Sequence, residues 1–207
     1  MKKTTIILTT IFSMIFLSVT AYPQKKTRAE IRQIDAYVKQ IDALVKRNKK
    51  PQLIFADTSD YNDDSKSKWE KFASEKALEK FREEESQTYS IAYNWLQKGK
   101  LVRSNFTLSS PSGDWAQYVY HTFREDGSLA FAESEMRTFN GDLIIIQDFY
   151  FDQKGKLLKK TARYRDLRTN KPIKPTKEFL ENKGNFSDDV EYYKKVGKLP
   201  FAGLLKK

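Results

Sequence analysis

Cysteine is absent from the 207 residues and histidine occurs once. The first absence excludes disulfides, thiolate zinc sites, iron–sulfur ligation and a cysteine nucleophile. The second leaves no His-rich metal site or histidine relay; no metal and no cofactor are expected. The sequence has no G-x-S-x-G elbow, P-loop, G-x-G-x-x-G turn or H-E-x-x-H helix, which removes the motif-bearing hydrolases, nucleotide-binding folds and zinc proteases. No stretch beyond residue 24 is apolar enough to span a bilayer. What is abundant is charge: 38 Lys and Arg stand against 27 Asp and Glu, a formal +11.

Export is the first positive reading. Lys2 and Lys3 precede an uncharged run from Thr4 to Gln24, with Val19, Thr20 and Ala21 at its end. A basic start, an apolar middle and small residues before a cut after Ala21 describe a secretory signal peptide over 1–21. An uncleaved N-terminal membrane anchor is the alternative. Cleavage leaves no membrane span, and the net charge of +11 falls to +9 without Lys2 and Lys3. A periplasmic or secreted protein meets anionic envelope components and small molecules rather than nucleic acid.

Residues 22–86 read as a helical part. Ile31, Ile34, Val38, Ile41 and Val45 form one stripe of an amphipathic helix. Pro51 stops it, and Leu53 to Phe55 suit a short strand. Asp57 to Ser65 is acidic but lacks the central Gly and terminal Glu of an EF-hand loop. A second helix is expected over Ser65 to Glu85, burying Trp69, Phe72, Ala73 and Phe81.

Residues 87–167 carry the clearest pattern. Gly99, Gly113, Gly127, Gly141 and Gly155 recur every 14 residues, with β-rich segments between them. The spacing predicts six antiparallel strands over 88–96, 101–109, 115–123, 129–139, 142–152 and 157–166. Alternate turns repeat at 28 residues as aromatic-x-x-x-Gly-polar-Leu: Trp95, Gly99 and Leu101; Phe123, Gly127 and Leu129; Phe151, Gly155 and Leu157. This turn resembles that of the tyrosine-aspartate (RHS-type) and MORN-variant repeats of bacterial envelope proteins. The resemblance implies hairpins used as building material and no activity. Residues 168–207 form a basic C-terminal tail, with short helices expected at Thr176 to Asn182 and Asp188 to Lys195. Together, 22–207 read as one α+β domain: a curved six-stranded antiparallel meander with N-terminal helices on one face and a short helical tail.

An even repeat preserves side-chain direction, so turns centred on each Gly would put all odd-numbered residues on one face. Trp95 would then face Leu101, Phe123 would face Leu129, and Tyr93, Arg103, His121, Phe131 and Phe149 would make the next row. Small residues such as Ala116, Ala130, Ala132 and Ala162 make the even face the expected seat of the helices. The odd face is expected to be open, with Tyr93, Arg103, His121, Glu133, Glu135, Gln147 and Arg163 lining one shallow cleft. That set suits ligand binding. The expected function is a non-enzymatic binding or interaction protein of the envelope. The alternative is a hydrolase of envelope glycans, with Glu133 and Glu135 as acid and base about 7 Å apart and His121 beside them.

Overall fold

A computed structural model describes residues 27–59, 67–84, 88–177, 179 and 190–205. The segment 1–21, expected to be a signal peptide, and most of the acidic loop lie outside them. Helix α1 spans 27–47, followed by β1 (Leu53–Asp57), β2 (Trp69–Phe72) and α2 (Glu75–Glu84). Then come β3 (Ser90–Gln97), β4 (Lys100–Ser109), β5 (Trp115–Phe123), β6 (Leu129–Thr138), β7 (Leu143–Phe151) and β8 (Leu157–Asp166). All eight strands form one antiparallel sheet in the order β2-β1-β3-β4-β5-β6-β7-β8. Among the described residues, no helix is long and apolar enough to cross a membrane.

The architecture is α+β with an antiparallel sheet, but the sheet has eight strands instead of six. The six meander strands end within two residues of their expected boundaries. The extra strands come from the region read as helical. Trp69 meets Phe106 and Phe201 on one side of the sheet, while Phe72 packs against α2 on the other. Residues three apart reach opposite sides only by strand alternation. The second helix is therefore confined to Glu75–Glu84, opened by Ser74, whose Oγ accepts from the Ala77 N–H at 3.1 Å. Ala73 is exposed.

The expected register fails for two local reasons. At one end of the sheet, each hairpin carries a bulge on its second strand. Leu96 pairs with Leu101 but Trp95 with Arg103, leaving Val102 unopposed. Ala130 and Leu158 are skipped in the same way, between the pairs Phe123–Leu129 and Thr122–Phe131, and Phe151–Leu157 and Tyr150–Lys159. These three residues share the 28-residue period of the turn motif, so the bulge is part of the repeat. At the other end, Ser109 pairs with Ala116 and Thr138 with Leu143, so the loops between them hold an even number of residues. Each device shifts pairing by one, and side-chain parity reverses from β4 to β5, β5 to β6, β6 to β7 and β7 to β8.

Both faces are covered, by different parts of the chain. Helix α1 crosses the bulged end of one face. Its Ile31, Ile34, Tyr37 and Val38 pack on Ala130, Phe131, Tyr150 and Leu158. Near its C-terminus, the Asn48 carbonyl accepts from Trp95 Nε1 at 2.9 Å. A helix of this length runs about 30 Å, enough to span strands spaced about 4.8 Å apart from β8 to β3. Helix α2 puts Leu78 among Ile54, Ala56 and Ile91 on that same side, which we call the helix face. The opposite, tail face holds Phe55, Phe106, Val119, Phe123, Phe149 and Phe151 beneath Tyr192, Tyr193, Leu199 and Phe201 of the C-terminal segment. Most of the expected helix Thr176–Asn182, and the start of that at Asp188–Lys195, lie outside the described residues. Thr176 Oγ1 caps Phe179 N–H at 3.1 Å, but residues 190–193 carry no helix and Lys195 bridges Ser128 as an isolated β pair. Among the described residues from 190 on, regular structure is limited to single 3-10 turns at Val196–Lys198 and Ala202–Leu204.

Candidate functional site

The parity reversals divide the expected odd-numbered set. Tyr93, Arg103, Glu133, Glu135 and Arg163 all project from the helix face, so the helices lie on their side of the sheet and not on the even-numbered side where they were expected. His121 pairs with Ala132 and Gln147 with Ser134, so these two point to the tail face. His121 is fully buried between Phe106, Phe123 and Tyr193, and its Nε2 accepts from the Tyr193 backbone N–H at 3.2 Å. Burial pushes its pKa down to about 4. The carbonyls of Ser104 and Val119 lie beside the ring, yet neither meets hydrogen-bond geometry to Nδ1. A neutral, enclosed imidazole on the far side of the sheet is a packing element and no partner for the glutamates.

Two more members are covered from above. Tyr93 lies in the cluster under α2, with its hydroxyl pKa raised by burial. Arg103 is buried under α1 and ion-paired with Asp42. Burial lowers the Arg103 pKa, which Asp42 and Glu133 counteract.

Glu133, Glu135 and Arg163 remain together on the uncovered part of the helix face, and the register adds Tyr120, Asp148 and Thr161. Arg163 joins both acids: NH2 donates to Glu133 Oε2 at 2.9 Å and NH1 donates to Asp148. Thr161 Oγ1 donates to the same Asp148 oxygen, Oδ2, at 3.0 Å. The other Asp148 oxygen is buried without a partner among the described residues. Burial and the neighbouring Asp148 raise the Glu133 pKa, since both disfavour a negative charge on Glu133. Glu135 is engaged elsewhere, by Arg137 Nε at 2.7 Å, and that guanidinium stands 5.5 Å from the Tyr118 ring centre. So Glu133 shares Arg163 with Asp148, its neighbour across β6 and β7, and not with Glu135. Sequence reading missed Asp148 because one residue of register placed it on the opposite face.

A separate concavity was not foreseen at all. A cleft of about 810 Å³ lies between the first half of α1 and the β5–β6 and β7–β8 turns. Ala29, Ile34 and Ala130 form its apolar part; Gln33, Tyr37 and Arg124 are among its polar lining. Arg124 is held by backbone. Its NH1 donates to the Leu129 carbonyl at 2.7 Å and its NH2 to the Phe151 carbonyl at 2.6 Å. Tyr37 is fixed likewise, its hydroxyl donating to the Phe123 carbonyl at 2.7 Å. No carboxylate lies within ion-pair distance of Arg124 among the described residues. The cleft was illegible because Arg124 looks like any turn residue until the bulge brings the two hairpin ends under one helix. Among the described residues no cluster of acids and histidines has the arrangement of a metal site.

No protein family, curated protein or solved structure matches the chain. The functional reading therefore rests on geometry.

Proposed function

We propose that the protein is an exported, non-enzymatic binding protein of the cell envelope whose ligand, a small polar molecule with an apolar side, occupies the cleft under α1. The observation that carries this reading is Arg124. Its guanidinium is immobilised by carbonyls from both hairpins, so its position is set before any ligand arrives. A preformed concavity with an apolar wall and a few fixed polar groups is the usual form of a small-molecule site. Glu30, Glu125 and Asp152 share the cleft with Arg124 and Lys154, which favours a sugar or a zwitterion over a simple anion. The leader at residues 1–21 supports the location, and the absence of catalytic motifs supports binding over turnover.

The test is native mass spectrometry of protein purified after expression of the full chain. A bound small molecule in the wild type that disappears in Gln33→Trp supports the reading, because this exposed helix position lines the cleft. Ligand-free protein, with a melting temperature unmoved by a panel of sugars and amino acids, would overturn it.

One observation favours a second reading. The raised pKa of Glu133 suits a general acid, so hydrolysis of envelope glycans is the alternative, with Glu133 acting beside Asp148 rather than Glu135. Abolition of a detected glycan cleavage by Glu133→Gln would support it.

A further inference from the structure

We propose that the β8 edge of the sheet, from Lys154 to Lys177, is a docking surface for an anionic lipid bilayer. Within this segment the sequence places ten Lys and Arg residues and one acidic residue, Asp166. In the sequence these charges look dispersed; in the fold they share one border, because β8 is the last strand of the sheet and β7 is its neighbour in the strand order. The chain then turns back along the free side of β8, with Pro172 bridging Arg165 and the Ile173 N–H donating to the Tyr164 carbonyl at 3.1 Å. Lys156, Lys159, Lys160, Lys171 and Lys174 are exposed and have no ion-pair partner among the described residues.

Charge at a sheet edge also blocks unwanted strand pairing. That role calls for charges on the strand itself and leaves Lys171 and Lys174 unexplained. Two apolar side chains point to a lipid surface. Leu157 is 42% exposed and Ile173 37% exposed, and each is bracketed by lysines. They stand at opposite ends of the edge, about 24 Å apart at strand rise. Cations around exposed aliphatic residues are the chemistry of a peripheral membrane face, with charge held at headgroup level and apolar tips seated below it. A soluble polyanion would use the cations and have no use for Leu157 or Ile173.

The test is co-sedimentation of the protein, purified after full-chain expression, with vesicles of phosphatidylcholine alone or with three parts in ten of phosphatidylglycerol. Neutral vesicles control for any insertion of an uncleaved N-terminus. Binding is expected to be at least about tenfold stronger on the anionic vesicles and lost in 0.5 M salt. It is also expected to fall about tenfold or more in Lys159→Glu/Lys160→Glu and in Lys171→Glu/Lys174→Glu, but not in Lys39→Glu/Lys76→Glu, which alters exposed lysines on α1 and α2. Circular dichroism checks that each variant is folded. Leu157→Ser/Ile173→Ser is expected to weaken vesicle binding while retaining all charge. Equal binding to both vesicle types overturns the proposal, as does full binding by the β8 charge reversals. Capture by a soluble acidic polysaccharide without vesicle binding overturns it in favour of a polyanion site.

Discussion

The Nε2 of His121 accepts the backbone N–H of Tyr193 at 3.2 Å, so the only histidine in the chain fastens the C-terminal segment to the centre of the sheet. This bond requires the neutral ring, and burial lowers the His121 pKa to about 4 from an ordinary 6.5. Because the folded value is the lower one, the unfolded chain binds the extra proton first. Stability is thus complete above about pH 6.5 and declines as pH falls towards 4, by roughly 3 kcal/mol for a shift of this size. Urea melts from pH 7.5 to 4 are expected to show this slope, and His121→Phe is expected to flatten it. At neutral pH the same substitution should cost about 1–3 kcal/mol, since the Tyr193 N–H loses its acceptor.

Glu133 has the opposite sign. Its folded pKa is raised by burial and by Asp148, so its protonated form adds stability below the unfolded value, and that contribution is lost as pH rises through the folded pKa. Glu133→Gln removes a charge that burial and Asp148 disfavour and is expected to be neutral or mildly stabilising at pH 7.5. Asp148→Ala removes the acceptor of Thr161 and one partner of Arg163. Solvent reaches Arg163, so the expected cost is only about 1–2 kcal/mol. Chemical denaturation of the two variants at pH 5 and 7.5 checks both.

The hairpin glycines should separate by surroundings. Gly99 and Gly141 both hold φ near +75°, but a Cβ at Gly99 meets nothing within 4 Å, whereas at Gly141 it comes 3.3 Å from Leu143 Cδ1. Gly99→Ala is expected to cost about 1 kcal/mol of backbone strain, and Gly141→Ala clearly more. Thermal melts give the order.

The tail is structural. Phe201 is 1% exposed, and its ring stacks on Phe55 with centroids 4.4 Å apart. Phe201→Ala is expected to cost about 3–5 kcal/mol, the range for a buried aromatic, and to increase binding of a hydrophobic dye.

Much of the fold was legible, because period and turn chemistry are local. The five glycines mark the hairpins, and the Ile31 to Val45 stripe marks α1. Strand β2 was not legible: Trp69 and Phe72 fit a helical spacing and a strand equally well until the surfaces they meet are known. The site was half legible. Arg163 and Glu133 were found because both lie in odd-parity strands of the helix face, and His121 and Gln147 were misplaced with the register. A bulge at Ala130 leaves no compositional mark, since the residue inserted is an ordinary alanine. Yet its consequence reaches every side chain beyond it.

The central claim is that a ligand is held under α1. The most direct measurement is an experimental structure of the protein as purified from cells, carrying whatever it has retained. The expected result is a small molecule between α1 and the two turns, in contact with Tyr37 and the Arg124 guanidinium. A molecule seated instead over Glu133 and Asp148, with the cleft filled by the protein's own side chains, would contradict the account.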